Sequence, residues 1–141
     1  MMEGWKLFAL GSAFFAGVTA VLAKIGVEDI PSNLATLIRT LVILGFLAIL
    51  VQWRGEWRHP LSLPTKSLVF LVMSGLATGL SWVCYYRALQ LGPASLVAPI
   101  DKLSLAVAIF LAVLVLGERL TLWQWIGSGL ITAGVVLTVL K

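Results

Sequence analysis

The sequence predicts an all-α integral membrane protein with five transmembrane helices. Hydrophobic residues make up 60 % of the 141 residues and charged residues only 11 %, whereas a soluble domain carries about 25 % charged residues. Between polar breaks lie apolar runs long enough to cross a bilayer core, which takes about 20 helical residues. Because the breaks leave no room for a soluble catalytic or nucleic-acid-binding domain, we expect one transmembrane domain over residues 1–141 and no nucleic-acid partner.

The five predicted helices follow one another along the chain with little sequence between them. The first apolar run is too long for the core of a cleaved signal peptide, so we expect it to remain in the mature protein. Three shorter connections and one longer loop, "RGEWRHPLSLPTK", separate the runs. The helices are expected over residues 5–23, 34–51, 67–89, 96–116 and 122–140.

Residues typical of helix ends lie in the breaks. Ser32 and Asn33 can accept hydrogen bonds from the free N–H groups at the start of the second helix. The fourth helix is expected to stop near Gly117, because glycine commonly follows the last helical turn. Thr121 and Gln124 have the spacing of a capping box for the fifth helix.

The residue inventory argues against an enzyme. The one histidine, His59, lies in a loop, and the one cysteine, Cys84, lies within the third helix. No cluster has the spacing of metal ligands or of a nucleophile and its base. The formal net charge of +4 is explained by Lys and Arg in loops near lipid headgroups. We therefore expect no enzymatic activity, no cofactor and no metal.

An odd number of helices puts the two termini on opposite faces of the membrane, which we call face A, on the side of the N-terminus, and face B. The Lys and Arg bias sets orientation, and each face carries five of these residues. Leaving out Arg39 and Lys102, which lie within predicted helices, gives five to three and a weak preference for face A in the cytoplasm. One fixed orientation and dual insertion both stay open. Face A holds Lys6, Arg54, Arg58, Lys66 and Arg119, and face B holds Lys24, Arg39, Arg87, Lys102 and Lys141.

Three predicted helices carry charged or amphipathic side chains at similar depth near face B. Counting 1.5 Å per residue places Asp101 about 6 Å and Arg39 about 10 Å inside that face. Trp82 falls in the same half of the third helix. Tyr85 and Tyr86 follow it at spacings of three and four residues, which turns an aromatic stripe toward one side of the helix. Such a stripe serves either helix packing or ligand stacking.

Ionisable residues within a membrane span are candidates for function. The long side chains of Arg39 and Lys102 can reach outward toward face B, whereas Asp101 is too short to do so. Its carboxylate can accept hydrogen bonds at the start of a helix that begins near Pro99, pair with a cation, or take up a proton. Adjacent helical residues point about 100° apart, so we expect Arg39 rather than Lys102 to be its partner.

Small residues form ridges on the last three predicted helices, at four-residue spacing on the third and fourth. Ridges of this kind let helices approach closely in a membrane, either within the chain or against a second protomer. The third helix carries Gly75 and Gly79, the fourth carries Ser104, Ala108 and Ala112, and the fifth carries Gly127, Gly129, Ala133 and Gly134.

Residues 85–139 resemble the second half of an EamA domain of the drug/metabolite transporter superfamily. The similarity lies in the "RAL" and "GPAS" turn, the proline early in the fourth helix, "LGE" at its end and the Gly-rich fifth helix. The first half is similar through "GSAFFAGVTAVLAKIG" and Arg39. The whole chain thus resembles one EamA-type half-transporter repeat, of the short five-helix type of bacteria and archaea.

Most members of that family are similar to two such units in tandem, arranged as inverted repeats. The resemblance therefore implies that this single unit works as a homodimer, and an antiparallel pair would recover the inverted architecture. It also implies a multi-pass protein of the cytoplasmic membrane that moves a small metabolite by alternating access. The related small multidrug resistance proteins carry a glutamate in their first helix, but residues 7–23 contain no acid, which argues against cationic-drug antiport.

The sequence therefore predicts a transporter whose partners are a second copy of itself, membrane lipids and a small-molecule substrate. Gly92, Pro93 and Pro99 are predicted to let the helices bend. Two alternatives stay open: a flippase subunit for a lipid-linked group, whose phosphate would meet Arg39 and Lys102, and a non-transporting membrane partner subunit. The predicted substrate-binding residues are Arg39, Trp82, Tyr86, Asp101 and Lys102, with Trp82 and Tyr86 as a stacking wall.

Overall fold

A computed structural model describes residues 4–59 and 62–140, and Lys141, which the charge count assigns to face B, lies outside the described residues. Within the described ranges the chain is all-helical and contains no strand. The helices are α1 (Gly4–Gly26), α2 (Ser32–Arg54), α3 (Thr65–Leu91), α4 (Ala94–Asp101), α5 (Ser104–Leu116) and α6 (Leu122–Val139).

Five segments of the described chain are long and apolar enough to cross a membrane, which confirms the predicted fold class. Four of them are the single helices α1, α2, α3 and α6, and the fifth is the stretch Ala94–Leu116 that contains α4 and α5. The first three helices extend two or three residues beyond most of their predicted ends. The polar residues at which the predicted spans stopped are therefore part of the helices in the structure.

The start of α2 differs from the prediction. Its N-cap is Pro31, which makes no side-chain hydrogen bond to the first turn, so the prediction that Ser32 or Asn33 caps the helix was wrong. Both residues lie within the first turn instead. At the other end, Gly55 adopts a left-handed conformation with φ of 64°, which any residue with a Cβ adopts only with strain.

The predicted fourth span, residues 96–116, is confirmed as the segment Ala94–Leu116, and within it the helix is interrupted between α4 and α5. Pro99 lies inside α4, has no N–H group to donate, and clashes with the preceding turn of a regular helix. The chain tightens directly after it: the Lys102 N–H donates to the Pro99 carbonyl at 2.9 Å, and the Leu103 N–H donates to the Ile100 carbonyl at 3.0 Å. These three-residue spacings are 3₁₀-like, and α5 resumes at Ser104.

The connection from α5 to α6 follows the predicted chemistry. Gly117 ends α5 in a left-handed conformation with φ of 68°. The capping box of α6 is confirmed: the Gln124 N–H donates to the Thr121 hydroxyl oxygen at 3.4 Å, and the Thr121 N–H donates to Gln124 Oε1 at 2.7 Å. The two reciprocal bonds satisfy donors that a helix start leaves free.

The chain divides into two compact units. One contains Ala23–Leu91, in which α2 packs along α3. The other contains the described residues up to Leu22 and those from Gly92 onward, in which α6 packs against α4 and α5. Most apolar side chains on the helices are exposed on this single chain, as expected for spans whose surroundings are lipid or further helices.

Candidate functional site

Arg39 is the one charged residue between Ser32 and Trp53 on α2. As the eighth residue of the helix, it lies about 10 Å along the axis from the first residue. Its side chain is half-buried. The structure therefore places a permanent positive charge well inside a membrane-spanning helix.

Two aromatic rings of α3 lie against this charged group. Arg39 Cζ lies 4.1 Å from the ring centroid of Trp82 and 5.8 Å from that of Tyr86. The two aromatic residues are four positions apart, so they lie one above the other on the same face of α3. We call Arg39, Trp82 and Tyr86 the Arg39 box. Three residues that the sequence assigned to the site are thus brought together by the packing of α2 on α3.

Energetically, the Arg39 box offsets part of the cost of a charge within a membrane. That cost is about 2.5–3.5 kcal/mol on insertion scales, and cation–π contacts contribute about 0.5–2 kcal/mol depending on desolvation. Tyr86 is only 4 % exposed, and its ring meets that of Tyr85 edge-on at 6.4 Å. The aromatic side of the box is therefore a packed surface rather than a set of mobile rings.

The N–H donors of Arg39 remain available. A guanidinium group carries five N–H donors. Among the described residues of the unit Ala23–Leu91, no oxygen accepts a hydrogen bond from that of Arg39 and no carboxylate lies within ion-pair distance of it. The box thus presents an unneutralised cation with free donors.

The face B end of α3 is tied to the end of α1 by a charged group that the sequence analysis did not single out. Lys24 Nζ donates to the carbonyl oxygen of Leu89 at 2.8 Å. Leu89 and Val27 are both fully buried at this end. The carbonyl groups of the last turn of a helix have no partner within that helix. Lys24 donates to one of these groups in α3 and so stabilises the contact between the ends of α1 and α3.

Gln90 fastens the loop between α1 and α2 to the same end of α3. Its Nε2 donates to the carbonyl oxygens of Ile30, at 3.1 Å, and Val27, at 3.4 Å. Arg87 Nη1 in turn donates to Gln90 Oε1 at 2.7 Å, which fixes the orientation of the amide. The loop is therefore positioned by side chains from α3.

Between this loop and α3 lies an open cleft of about 650 Å³. Its wall combines carboxylates of the loop with a guanidinium of α3, so both signs of charge are present. Along α3 the cleft reaches Val83, the sequence neighbour of Trp82. The lining residues are Glu28, Asp29, Ile30, Pro31, Ser32, Asn33, Val83, Arg87 and Gln90.

Asp101 and Lys102 lie at the interruption between α4 and α5. Because α4 begins at Ala94, Asp101 is its last residue, and the alternative that Asp101 begins the fourth helix was wrong. Lys102 Nζ lies 3.3 Å from Asp101 Oδ2, so the expectation that Lys102 is a poor partner was wrong as well. The 100° separation applies within a continuous helix, whereas Lys102 lies in the turn after it, where its long side chain can fold back.

The residues predicted to let the helices bend all lie at helix boundaries or breaks. Gly92 and Pro93 form the connection between α3 and α4, with Pro93 as the N-cap of α4. Pro99 lies three residues before the turn that separates α4 from α5. Their part in a conformational change stays a prediction.

A second cavity, of about 420 Å³, lies between α5 and α6. Its polar side chains are turned inward to the backbone: the Ser128 hydroxyl donates to the Gln124 carbonyl at 2.7 Å and the Thr132 hydroxyl to the Ser128 carbonyl at 2.9 Å. The groove is consequently apolar. Its lining residues are Ala106, Ile109, Phe110, Trp125, Ser128, Gly129, Thr132, Ala133 and Val136.

Comparison with known proteins identifies the family. A family model described as "EamA-like transporter family" matches residues 4–140. The chain belongs to the EamA-like transporter family. An uncharacterized transporter in the cobO 3′ region of Sinorhizobium sp. is 50 % identical over 137 residues, which cover 97 % of each chain. An uncharacterized protein of Methanocaldococcus jannaschii is 31 % identical over 136 residues, 96 % of each. No solved structure matches the chain.

Membership in the EamA-like transporter family confirms the resemblance found in the sequence. It points to a transporter of the drug/metabolite type rather than an enzyme. Together with the five spanning segments, it makes the protein a multi-pass membrane protein. Among the described residues, no group of three His, Cys, Asp or Glu side chains could hold a metal ion.

Two polar residues near the candidate site, Lys24 and Gln90, make hydrogen bonds that the sequence did not indicate. Lys24 and Gln90 were overlooked because a polar residue at the end of an apolar run is usually a solvated terminus. The sequence carries no signal for the contacts of Gln90, because its acceptors Val27 and Ile30 lie about sixty residues earlier in the chain. Arg39 and Asp101 belong to different compact units, and their pairing stays a prediction.

Proposed function

We propose that the protein transports a small metabolite across the cytoplasmic membrane as a homodimer, by alternating access, with the Arg39 box as part of its substrate path. The observation that carries the proposal is the stacked guanidinium of Arg39 within a span, 4.1 Å from Trp82, in a chain of the EamA-like transporter family. A charge in that position raises the free energy of the inserted protein, and intramembrane charges commonly mark substrate pathways.

The homodimer is supported by the length of the two relatives. The match covers 97 % and 96 % of their own length, so each of them consists of little beyond one five-helix unit. Transporters of this general type place their site where two repeats meet. One unit paired with an antiparallel copy supplies the second repeat, and equal Lys and Arg counts on the two faces favour insertion in both orientations.

The interruption between α4 and α5 supports an additional role for Asp101 and Lys102. Discontinuous helices near a membrane-embedded site commonly carry the groups that respond to substrate or coupling ions. We propose that the ion pair of Asp101 and Lys102, at 3.3 Å, rearranges when the substrate or a coupling ion binds. In this proposal, Gly92, Pro93 and Pro99 absorb the accompanying change in helix direction.

Reconstitution into proteoliposomes tests the transport proposal. The purified protein should give saturable uptake of at least one compound in a panel of labelled amino acids, carboxylates, phosphorylated sugars, nucleosides and polyamines. Trp82→Leu should lower that uptake at least about tenfold, since the stacking wall is lost. Lys66→Gln, an exposed cation at the other end of α3, should leave it unchanged.

The same assay examines the coupling role of Asp101. Asp101→Asn removes the titratable group while keeping its size, so proton-driven uptake should be lost and passive exchange retained. Unchanged proton-driven uptake would mean that Asp101 has no role in coupling and serves only the structure of the turn between α4 and α5. Absence of transport for every compound, combined with a monomeric protein in detergent, would instead favour a partner subunit.

A flippase subunit is the second candidate, because the N–H donors of Arg39 can bind a phosphate, and so can the exposed ammonium group of Lys102. Vesicles that contain a fluorescent phospholipid separate the two functions. Reduction of the label from one side should bleach half of it if lipid is not flipped, and nearly all of it if the protein flips lipid.

A further inference from the structure

We infer that the Arg39 box selects an organic anion: the transported molecule carries a carboxylate or phosphoryl group that accepts hydrogen bonds from the guanidinium edge of Arg39. The inference rests on the proposed function and names the chemical class of its substrate. It follows from three observations: the stacking geometry, the lack of a neutralising group in the unit, and the occupation of the aromatic face.

The stacking geometry leaves a preformed fork for an oxyanion. Arg39 Cζ lies over the indole ring, 4.1 Å from its centroid, and no oxygen of the described unit Ala23–Leu91 accepts a hydrogen bond from its N–H groups. These N–H groups match the two oxygens of a carboxylate or phosphate in a bidentate arrangement. Because Trp82 and Tyr86 already hold the group in place, little side-chain entropy remains to be lost on binding.

No group of its own unit neutralises Arg39. The described acidic residues of this unit are Glu28 and Asp29, in the loop before α2, and Glu56, which lies 3.9 Å from Arg54 beyond the far end of α2. Neither α2 nor α3 carries a carboxylate. Since an unpaired charge is strongly disfavoured in a low-dielectric environment, an anionic ligand gains more here than a neutral one of the same shape.

The aromatic face of the box is closed to a cationic ligand. Aromatic rings within a transporter could bind a cation through their π-systems, but here the resident guanidinium of Arg39 occupies that position over Trp82 and approaches Tyr86 to 5.8 Å. A second cation would lose this contact and meet a like charge. The box therefore discriminates by charge: anions are favoured, neutral compounds are weaker, and cations are rejected.

Binding of matched aromatic probes tests this selectivity. The protein in phosphatidylcholine nanodiscs is titrated calorimetrically with benzoate, phenyl phosphate, benzamide and benzylamine, which share a ring and differ in the charge of one substituent. We expect saturable binding of benzoate and phenyl phosphate, at least about tenfold weaker binding of benzamide, and no binding of benzylamine. Equal binding of benzoate and benzamide, or no binding of either anion, would overturn the inference.

Variants assign the selectivity to Arg39. In R39Q the anions should lose their advantage over benzamide, whereas R39K should keep a reduced preference, because a lysine retains the charge without the planar fork. The matched control is R54Q, which removes the same charge from an exposed position at the end of the same helix and should bind as the wild type does. Undiminished anion preference in R39Q overturns the inference, and the wild-type probe series decides it even if R39Q does not fold.

A lipid headgroup and a soluble anion share the chemistry that Arg39 recognises, and competition separates them. If phosphatidic acid included in the nanodisc displaces phenyl phosphate, the anion is supplied by lipid, as the flippase alternative requires. If it does not, the anion is soluble. Uptake of only neutral or cationic compounds would overturn the anion inference while leaving a transporter, whereas anion binding without any transport would retain the site and overturn the proposed function.

Discussion

At the scale of single residues, Trp82 decides where the charge of Arg39 lies. A long arginine side chain on a helix that starts at face B can reach outward to the headgroups. In the structure it lies instead against α3, with Cζ 4.1 Å from the indole centroid. The contact therefore replaces part of the hydration that the guanidinium gives up, and it fixes the donors within the span.

This contact predicts a measurable coupling between Arg39 and Trp82. In a double-mutant cycle of R39Q, W82L and the double variant, we expect a coupling free energy of about 0.5–2 kcal/mol. Unfolding in detergent followed by circular dichroism gives the free energies. The control cycle replaces Trp53, an 83 % exposed tryptophan of α2, and should show additive effects. Additivity in the Trp82 cycle would mean that the stacking contributes no stability.

The sequence identified the members of the Arg39 box but not their contact. Spacing along α3 placed Trp82 and Tyr86 on one face, because a helix repeats every 3.6 residues. Which face of α2 meets that stripe depends on packing between elements that lie some forty residues apart in sequence, so Arg39 was expected to meet a carboxylate. The ion pair between Asp101 and Lys102 was missed for a related reason: the rule for neighbouring residues assumes a helix that continues.

At the scale of elements, the interruption between α4 and α5 is a consequence of one proline. Proline in a helix interior removes a hydrogen bond and destabilises the helix by about 3 kcal/mol. The apolar pattern of Ala94–Leu116 continues through the break, so composition alone predicts one helix. The sequence indicated a bend through Pro99, but the position of the turn, at Lys102 and Leu103, depends on where the tight hydrogen bonds form.

Pro99→Ala should join α4 and α5 into a more regular helix, because the alanine restores the missing donor. Spin labels at Ser95 and Val107, both exposed, report this in a background with Cys84→Ala. A continuous helix places these positions about 18 Å apart along its axis, so the distance distribution should narrow around that value.

The control for this experiment is Pro93→Ala. Pro93 is the N-cap of α4, where no intrahelical hydrogen bond is lost to proline, so its replacement should leave the label distance unchanged. An unaltered distribution in P99A would show that the turn is imposed by packing in the unit and not by the proline.

Helix ends were the least accurate part of the predicted elements, and side-chain contacts explain why. The first predicted helix stopped before Lys24 because the residue is charged. In the structure α1 continues to Gly26, since the ammonium group of Lys24 bonds to the Leu89 carbonyl oxygen at 2.8 Å. A charge at the end of a span is thus retained inside the helix when a neighbouring helix supplies an acceptor.

At the scale of the whole molecule, the even distribution of positive charge is the feature that the antiparallel homodimer needs. The two faces carry five Lys and Arg residues each, or five on face A and three on face B when Arg39 and Lys102 within the spans are left out, so the charge bias that sets orientation is weak at most. A small change should therefore fix the orientation. Ser62→Lys with Thr65→Lys raises the count on face A from five to seven, and Asn33→Lys with Ser95→Lys does the same on face B.

Labelling from outside the cell measures the effect of these pairs. With Cys84→Ala and a reporter cysteine at Glu56, an exposed residue of the face A loop, an impermeant maleimide should label about half of the protein that carries neither lysine pair. The pair S62K and T65K should protect the cysteine by holding face A in the cytoplasm, and the pair N33K and S95K should expose it.

Transport then tests whether both orientations are required. Each fixed variant alone should give no uptake of the transported compound by intact cells, where the lysine pairs set the orientation at insertion. Identical orientations cannot form an antiparallel pair, so co-expression of the two variants should restore uptake. The four substituted residues are all exposed, so loss of activity in the single variants does not follow from a damaged core. Activity of either fixed variant alone would contradict the antiparallel dimer and require a parallel one. Labelling of the starting protein from one side only would mean that the balanced charges do not govern its insertion.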